Sequence, residues 1–203
     1  MIQENCIILY NDAKQALVID PGADADRLHQ FITQNDLTVI GYPFTHGHYD
    51  HVCAIGELHA LCPAPCWMHP LDLSWAFTPR NQNLPWYRQP DPATVPDVQK
   101  AWTQDGSFDI GPFSFETIFV PGHSPGSVAF YFPKEHLLIG GDVLFQGSVG
   151  RTDLPGGEPA TLMRSLRKLA KLPPETRVLC GHGPATTLAE ELRNNPYMRQ
   201  ALA

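Results

Sequence analysis

Residues 45–51 read Thr45-His46-Gly47-His48-Tyr49-Asp50-His51, and His46, His48, Asp50 and His51 among them can all bind a metal. Packing alone gives a folded chain little reason to crowd three imidazoles and a carboxylate into one stretch. Protonated rings repel one another, and buried rings each need a hydrogen-bond partner. A divalent cation serves all four at once, because neutral imidazole and carboxylate are ligands that zinc and non-haem iron accept.

Three further places belong with this stretch. They are His123 in Pro121-Gly122-His123-Ser124-Pro125-Gly126, Asp142 in Gly140-Gly141-Asp142, and His182 in Gly181-His182-Gly183. Each stands at the end of a predicted strand beside glycine, which lets the backbone turn sharply. Taken singly, a Gly-His is ordinarily a turn and a Gly-Asp ordinarily a cap. Joined to residues 45–51 they bring the donors to five histidines and two aspartates. That is about what two cations a few ångströms apart require, with room for water. His29, His59, His69 and His136 fall on helices or strand ends without such company and read as structural or solvated. Cys62 and Cys66 lack the matching second pair of a zinc knuckle.

The elements that must position these donors follow from pattern. Short strands are expected over 6–10 and 16–20, joined by the turn at 11–14. Asp24 reads as the N-cap of a helix to about residue 35, with Leu28, Phe31 and Ile32 on one face. A buried strand over 38–44 delivers the histidine stretch. A helix follows from about residue 50, with Ile55, Leu58 and Cys62 at helical spacing, so that His46 and His48 lie on a loop. Strands are expected over 66–69, 108–110, 113–120, 127–132, 137–142 and 177–180. Helices are expected over 159–170, with Leu162, Leu166 and Leu169 inward, and over 186–194. Residues 78–100 hold Pro79, Pro85, Pro90, Pro92 and Pro96, with Trp86, Tyr87 and Arg88 among them. This stretch reads either as an ordered flap or as a surface excursion. The order of elements suggests two sheets with helices outside, an α/β four-layer αββα sandwich forming one domain over 1–203.

The bulk composition narrows the function classes. A chain of 203 residues, 43% of them hydrophobic, can bury a sizeable core. No apolar run approaches the roughly 20 residues of a membrane helix. The formal net charge of −7, with no basic block, argues against a nucleic-acid partner. The first residues lack a secretory layout. The scattered Cys6, Cys53, Cys62, Cys66 and Cys180 read as reduced thiols of a cytoplasmic protein.

Over residues 5–196 the sequence resembles the metallo-β-lactamase superfamily, and most of all its short glyoxalase II-like hydrolases, the hydroxyacylglutathione hydrolase family. The resemblance is carried by Asn5-Cys6, Asp20-Pro21-Gly22, residues 45–51 and 121–126, Gly141-Asp142, Gly150-Arg151-Thr152-Asp153, Gly181-His182-Gly183-Pro184 and Asn195-Pro196. It implies that His46, His48 and His123 hold a first metal, that Asp50, His51 and His182 hold a second, and that Asp142 bridges them. It also implies that Arg151 contacts a glutathione moiety; a salt bridge from Arg151 to Asp153 or Glu158 is the alternative. Two departures stand out. Only four residues precede Asn5-Cys6, so either an edge strand is missing from the first sheet or the start is a truncation. The C-terminal helical domain of the larger glyoxalase II enzymes is likewise not expected, which leaves the acyl and thiol parts of the substrate open.

The activity implied is hydrolysis of a small-molecule thioester such as S-lactoylglutathione by water activated at two divalent ions, zinc favoured over iron. Asp50 is expected to orient the nucleophile or to assist proton transfer. A glutathione persulfide dioxygenase is the alternative, with a single iron held by His46, His123 and Asp142.

Overall fold

The computed structural model describes residues 3–81 and 95–203. Much of the proline-rich stretch, with Trp86, Tyr87 and Arg88, lies outside the described residues. The chain divides into two compact units, 1–101 and 102–203.

The first unit is built on a five-stranded sheet. Its strands are β1 (Ile7–Tyr10), β2 (Gln15–Ile19), β3 (Thr38–Pro43), β4 (Cys66–Met68) and β5 (Val98–Lys100), in spatial order 1-2-3-4-5. Only β1 and β2 pair antiparallel; β2 through β5 run parallel. Parallel neighbours need crossovers, and helices supply them. These are α1 (Ala25–Gln34), α2 (Tyr49–Val52), α3 (Ile55–Leu61) and α4 (Pro70–Ala76), with a short 3-10 turn at Pro79–Asn81. Tyr42, Phe44, Ile55, Leu58 and Met68 are fully buried in this unit's core. Each such large apolar side chain contributes about 1.5–3 kcal/mol of transfer free energy.

Two expectations need correction here. Asp24 precedes α1 in a left-handed conformation (φ 55°) and its side chain makes no cap bond. The helix buries Ala25 and Ile32, whereas Phe31, one step round the helix from Ile32, is 41% exposed. The helix expected from residue 50 is two helices. The amide of Cys53 closes α2 on the Tyr49 carbonyl, but that of Ala54 donates to the carbonyl of Pro21 at 3.0 Å. The chain leaves helical bonding there to bind the turn after β2.

The second unit carries a six-stranded sheet in the order β13-β12-β9-β8-β7-β6. The strands are β6 (Gly106–Ile110), β7 (Phe113–Phe119), β8 (Val128–Phe132), β9 (Leu137–Gly141), β12 (Arg177–Cys180) and β13 (Thr186–Thr187), while β10 (Leu144–Phe145) and β11 (Ser148–Val149) form a separate small hairpin. The strands β6 through β9 form an antiparallel meander; β12 joins β9 in parallel. The crossover is α5 (Pro159–Leu169), whose Leu162, Leu166 and Leu169 are buried as their spacing predicts. Residues 186–187 pair with β12, so the last expected helix shortens to α6 (Leu188–Asn194). A further helix, α7 (Pro196–Leu202), follows, with Asn195 capping it and Pro196 in its first turn. No helix among the described residues is long and apolar enough to cross a membrane.

Candidate metal centre

In the first unit the donors all follow one strand, on the loop after β3 and on α2. β3 runs into Thr45, and His46, His48 and His51 follow with 1%, 6% and 0% exposure. The rings of His46 and His48 stand perpendicular with centroids 4.9 Å apart; those of His46 and His51 are 4.1 Å apart. Asp50, half-buried, lies on α2 beside His51.

Asp20 organises this cluster, although the sequence marked it only as a strand end and as part of the Asp20-Pro21-Gly22 motif. Its carboxylate accepts the Thr45 amide at 2.8 Å, the Thr45 hydroxyl, and Nδ1 of His51 at 2.9 Å. A buried carboxylate on Nδ1 fixes that nitrogen as the protonated one. Nε2 of His51 then carries the lone pair a metal needs. Donor atoms of Asp20, His46 and His51 lie within 4.8 Å of one another. With its oxygens committed to Thr45 and His51, Asp20 acts by orienting the rings. The turn that follows is glycine for a steric reason: a Cβ on Gly22 would sit 1.5 Å from the Asp50 carbonyl oxygen.

The histidine loop is also held from the other side. The Gly47 amide donates to Asp72 on α4 at 2.9 Å, and Asn81 donates to the carbonyls of Gly47 and Ala76 at 2.7 and 2.6 Å. Trp75 lies against His48, with ring centroids 5.4 Å apart. Asp72 and Asn81 gave no sequence signal, because their role appears only once α4 has folded back. His69 stands apart from the donors: it caps α4, its Nδ1 accepting from Leu71, and burial lowers its pKa.

In the second unit, His123, Asp142 and His182 come together from three strand ends. Oδ2 of Asp142 stands 3.5 Å from Nε2 of His123 and 3.4 Å from Nε2 of His182. Two donors at roughly 2.0–2.2 Å from one tetrahedral ion stand about 3.4 Å apart. Both pairs match that separation, with the carboxylate oxygen common to the two. His123 is fixed from behind, its Nδ1 2.7 Å from the backbone carbonyl of Arg151. A carbonyl only accepts, so Nδ1 carries the proton and Nε2 faces Asp142 with its lone pair. The donor set therefore fits divalent cations in number, in chemistry and in the nitrogen each of these rings presents.

Arg151 contributes through its backbone, and its guanidinium is engaged elsewhere. Nε and Nη2 donate to the two oxygens of Asp153 at 2.6 and 2.7 Å, and both side chains are well exposed. These hydrogen bonds hold the Asp153 carboxyl down at about 2. Glu158 instead caps α5. The strand-end segment is braced by Glu191 and Asn195, both buried. Glu191 accepts from Thr186 and Gly147, while Asn195 donates to the carbonyls of Phe145 and Ser148 and to Glu191. The Asn195-Pro196 pair was the visible trace of this brace.

A family model described as the metallo-beta-lactamase superfamily matches residues 2–182. The chain belongs to the metallo-β-lactamase superfamily. It is 36% identical to the hydroxyacylglutathione hydrolase GloC of Haemophilus influenzae, over 97% of this chain and 93% of that protein. Among solved structures, BLEG-1, named a B3 metallo-beta-lactamase, superposes with a TM-score of 0.90 at 39% identity, covering 97% of this chain and 95% of the other. TTHA1623, in a di-iron-bound form, gives 0.86 at 38%, covering 97% and 96%. The chain has the expected α/β fold class, the metallo-β-lactamase fold, and belongs to a superfamily of metallo-hydrolases.

Proposed function

We propose that this superfamily member hydrolyses a small-molecule thioester such as S-lactoylglutathione, using two divalent metal ions. His46, His48 and His123 hold the first ion, Asp50, His51 and His182 the second, and Asp142 bridges them. The observation that carries this reading is the single Asp142 oxygen standing 3.5 and 3.4 Å from two imidazole nitrogens. Similarity to GloC along nearly the whole chain supports the choice of substrate class. The di-iron neighbour supports iron beside zinc as the resident metal. Five cysteines outside any disulfide support a reducing cytoplasm as the compartment.

When bound, the ions supply Lewis acidity toward water and toward the substrate carbonyl. The protein's own part is orientation and proton handling. Asp20 and the Arg151 carbonyl hold Nδ1–H on His51 and His123, which keeps Nε2 of each ring as the ligating atom. Asp50 would orient the nucleophile or assist the transfer of its proton. The thiolate leaves without a strong general acid, because a thiol of pKa about 8.5 gives a far less basic leaving group than an alcohol does. Arg151 meets a carboxylate of the thiol moiety once it gives up Asp153, an exchange that exposed ion pairs allow at small cost.

The test is turnover of S-lactoylglutathione by metal-loaded protein, with the metal content measured on the same sample. Thioesterase activity with two ions per chain, abolished in His46→Ala, is expected. Activity retained at wild-type level in that variant overturns the assignment. One iron per chain with oxygen uptake on glutathione persulfide would make it a dioxygenase. Opening of a β-lactam ring without thioesterase activity would place it beside BLEG-1.

A further inference from the structure

The segment ahead of β1 brings a second carboxylate to His51. Oε1 of Glu4 lies 3.9 Å from His51 Nδ1, on the nitrogen that Asp20 already engages at 2.9 Å. The Glu4 side chain is 5% exposed and that of His51 fully buried. Its other oxygen, Oε2, lies 2.9 Å from where a Cβ on Gly22 would stand, so the carboxylate rests against the turn that also carries Asp20. The Cys6 thiol is pushed up first by burial and then by the charges of Glu4 and Asp20.

At 3.9 Å Glu4 is too far for a hydrogen bond to Nδ1, so it acts on the ring as a charge. Negative charge behind an imidazole raises the basicity of its other nitrogen and offsets the charge of a cation held there. In a buried pocket that attraction is weakly screened. Asp20 already orients the ring, and Glu4 adds charge without adding a bond.

We propose that Glu4 is a positioning residue for the second metal ion, its buried carboxylate joining that of Asp20 to supply the negative charge behind His51 that retains a divalent cation on Nε2. This rests on the reading in which Asp50, His51 and His182 hold that ion.

The experiment compares Glu4→Gln, Glu4→Asp and His51→Ala with the wild type, as full-length chains. Zinc is titrated against a chromophoric chelator, and ions per chain are counted by plasma mass spectrometry. In Glu4→Gln the first ion is expected to bind as in the wild type and the second roughly 10–100-fold more weakly. Glu4→Asp, which keeps the charge, recovers most of that loss. Wild-type affinity for both ions in Glu4→Gln, with the second lost in His51→Ala, overturns the role of Glu4 and leaves the ligand assignment standing. Equal losses in Glu4→Gln and Glu4→Asp mark a packing role and also overturn it. Two ions held at wild-type affinity by His51→Ala would sink the ligand assignment, and the inference with it.

Discussion

Nδ1 of His123 stands 2.7 Å from the backbone carbonyl oxygen of Arg151, so the chain itself selects the tautomer of that imidazole. The contact exists because Gly150 lets two strand ends approach. A Cβ there would fall 1.8 Å from the Asp142 carbonyl oxygen and 3.0 Å from His123 Nδ1. Gly150→Ala must therefore move the segment that fixes both residues. It is expected to cost about 4 kcal/mol or more in stability and to weaken metal binding, read by thermal unfolding and ion content. A variant with wild-type melting and full ion content would show that the segment yields freely.

Asp20→Asn removes charge at a carboxylate that takes three donors, two from Thr45 and one from His51. An amide offers one acceptor atom and turns a donor toward the others. The expected loss is about 3 kcal/mol, with metal affinity falling roughly 10–100-fold. Urea unfolding of the metal-free protein reads the first effect and chelator competition the second.

Asn195→Ala strips the cap of α7 together with the side-chain bonds to Phe145, Ser148 and Glu191. Glu191 and the two carbonyls lose a buried partner. A destabilisation of about 2–4 kcal/mol is expected. The change lies behind the hairpin of β10 and β11, so the ion content should stay at the wild-type value, which metal analysis checks.

Alkaline pH should loosen the fold through its buried thiols. Burial pushes Cys66, normally near 9, up to about 12. The folded chain then keeps a proton that the unfolded chain gives up. Its contribution is whole below about 9 and is lost as pH rises through about 12. The urea midpoint should fall between about pH 8 and about pH 11, and fall less steeply in Cys66→Ala. Equal slopes in the two proteins would assign the loss to other groups.

The candidate donors were legible in the sequence because they are local: residue type, spacing and a neighbouring glycine mark His46, His48, Asp50, His51, His123, Asp142 and His182. Their supports were hidden because they act across the fold. Asp20 looked like a strand stop, although its carboxylate orients His51. Asp72 and Asn81 carry no motif, and neither does Glu4. The same blindness split the helix expected from residue 50, since only the folded chain brings the Pro21 carbonyl to Ala54. α7 escaped notice because seven residues hold too few turns for a periodic signal.

The twin bonds from Asn81 to Gly47 and Ala76, with Asp72 on the Gly47 amide, amount to a knot tied just ahead of residue 82. The loop that carries His46 and His48 is thereby tied to α4 through its own backbone.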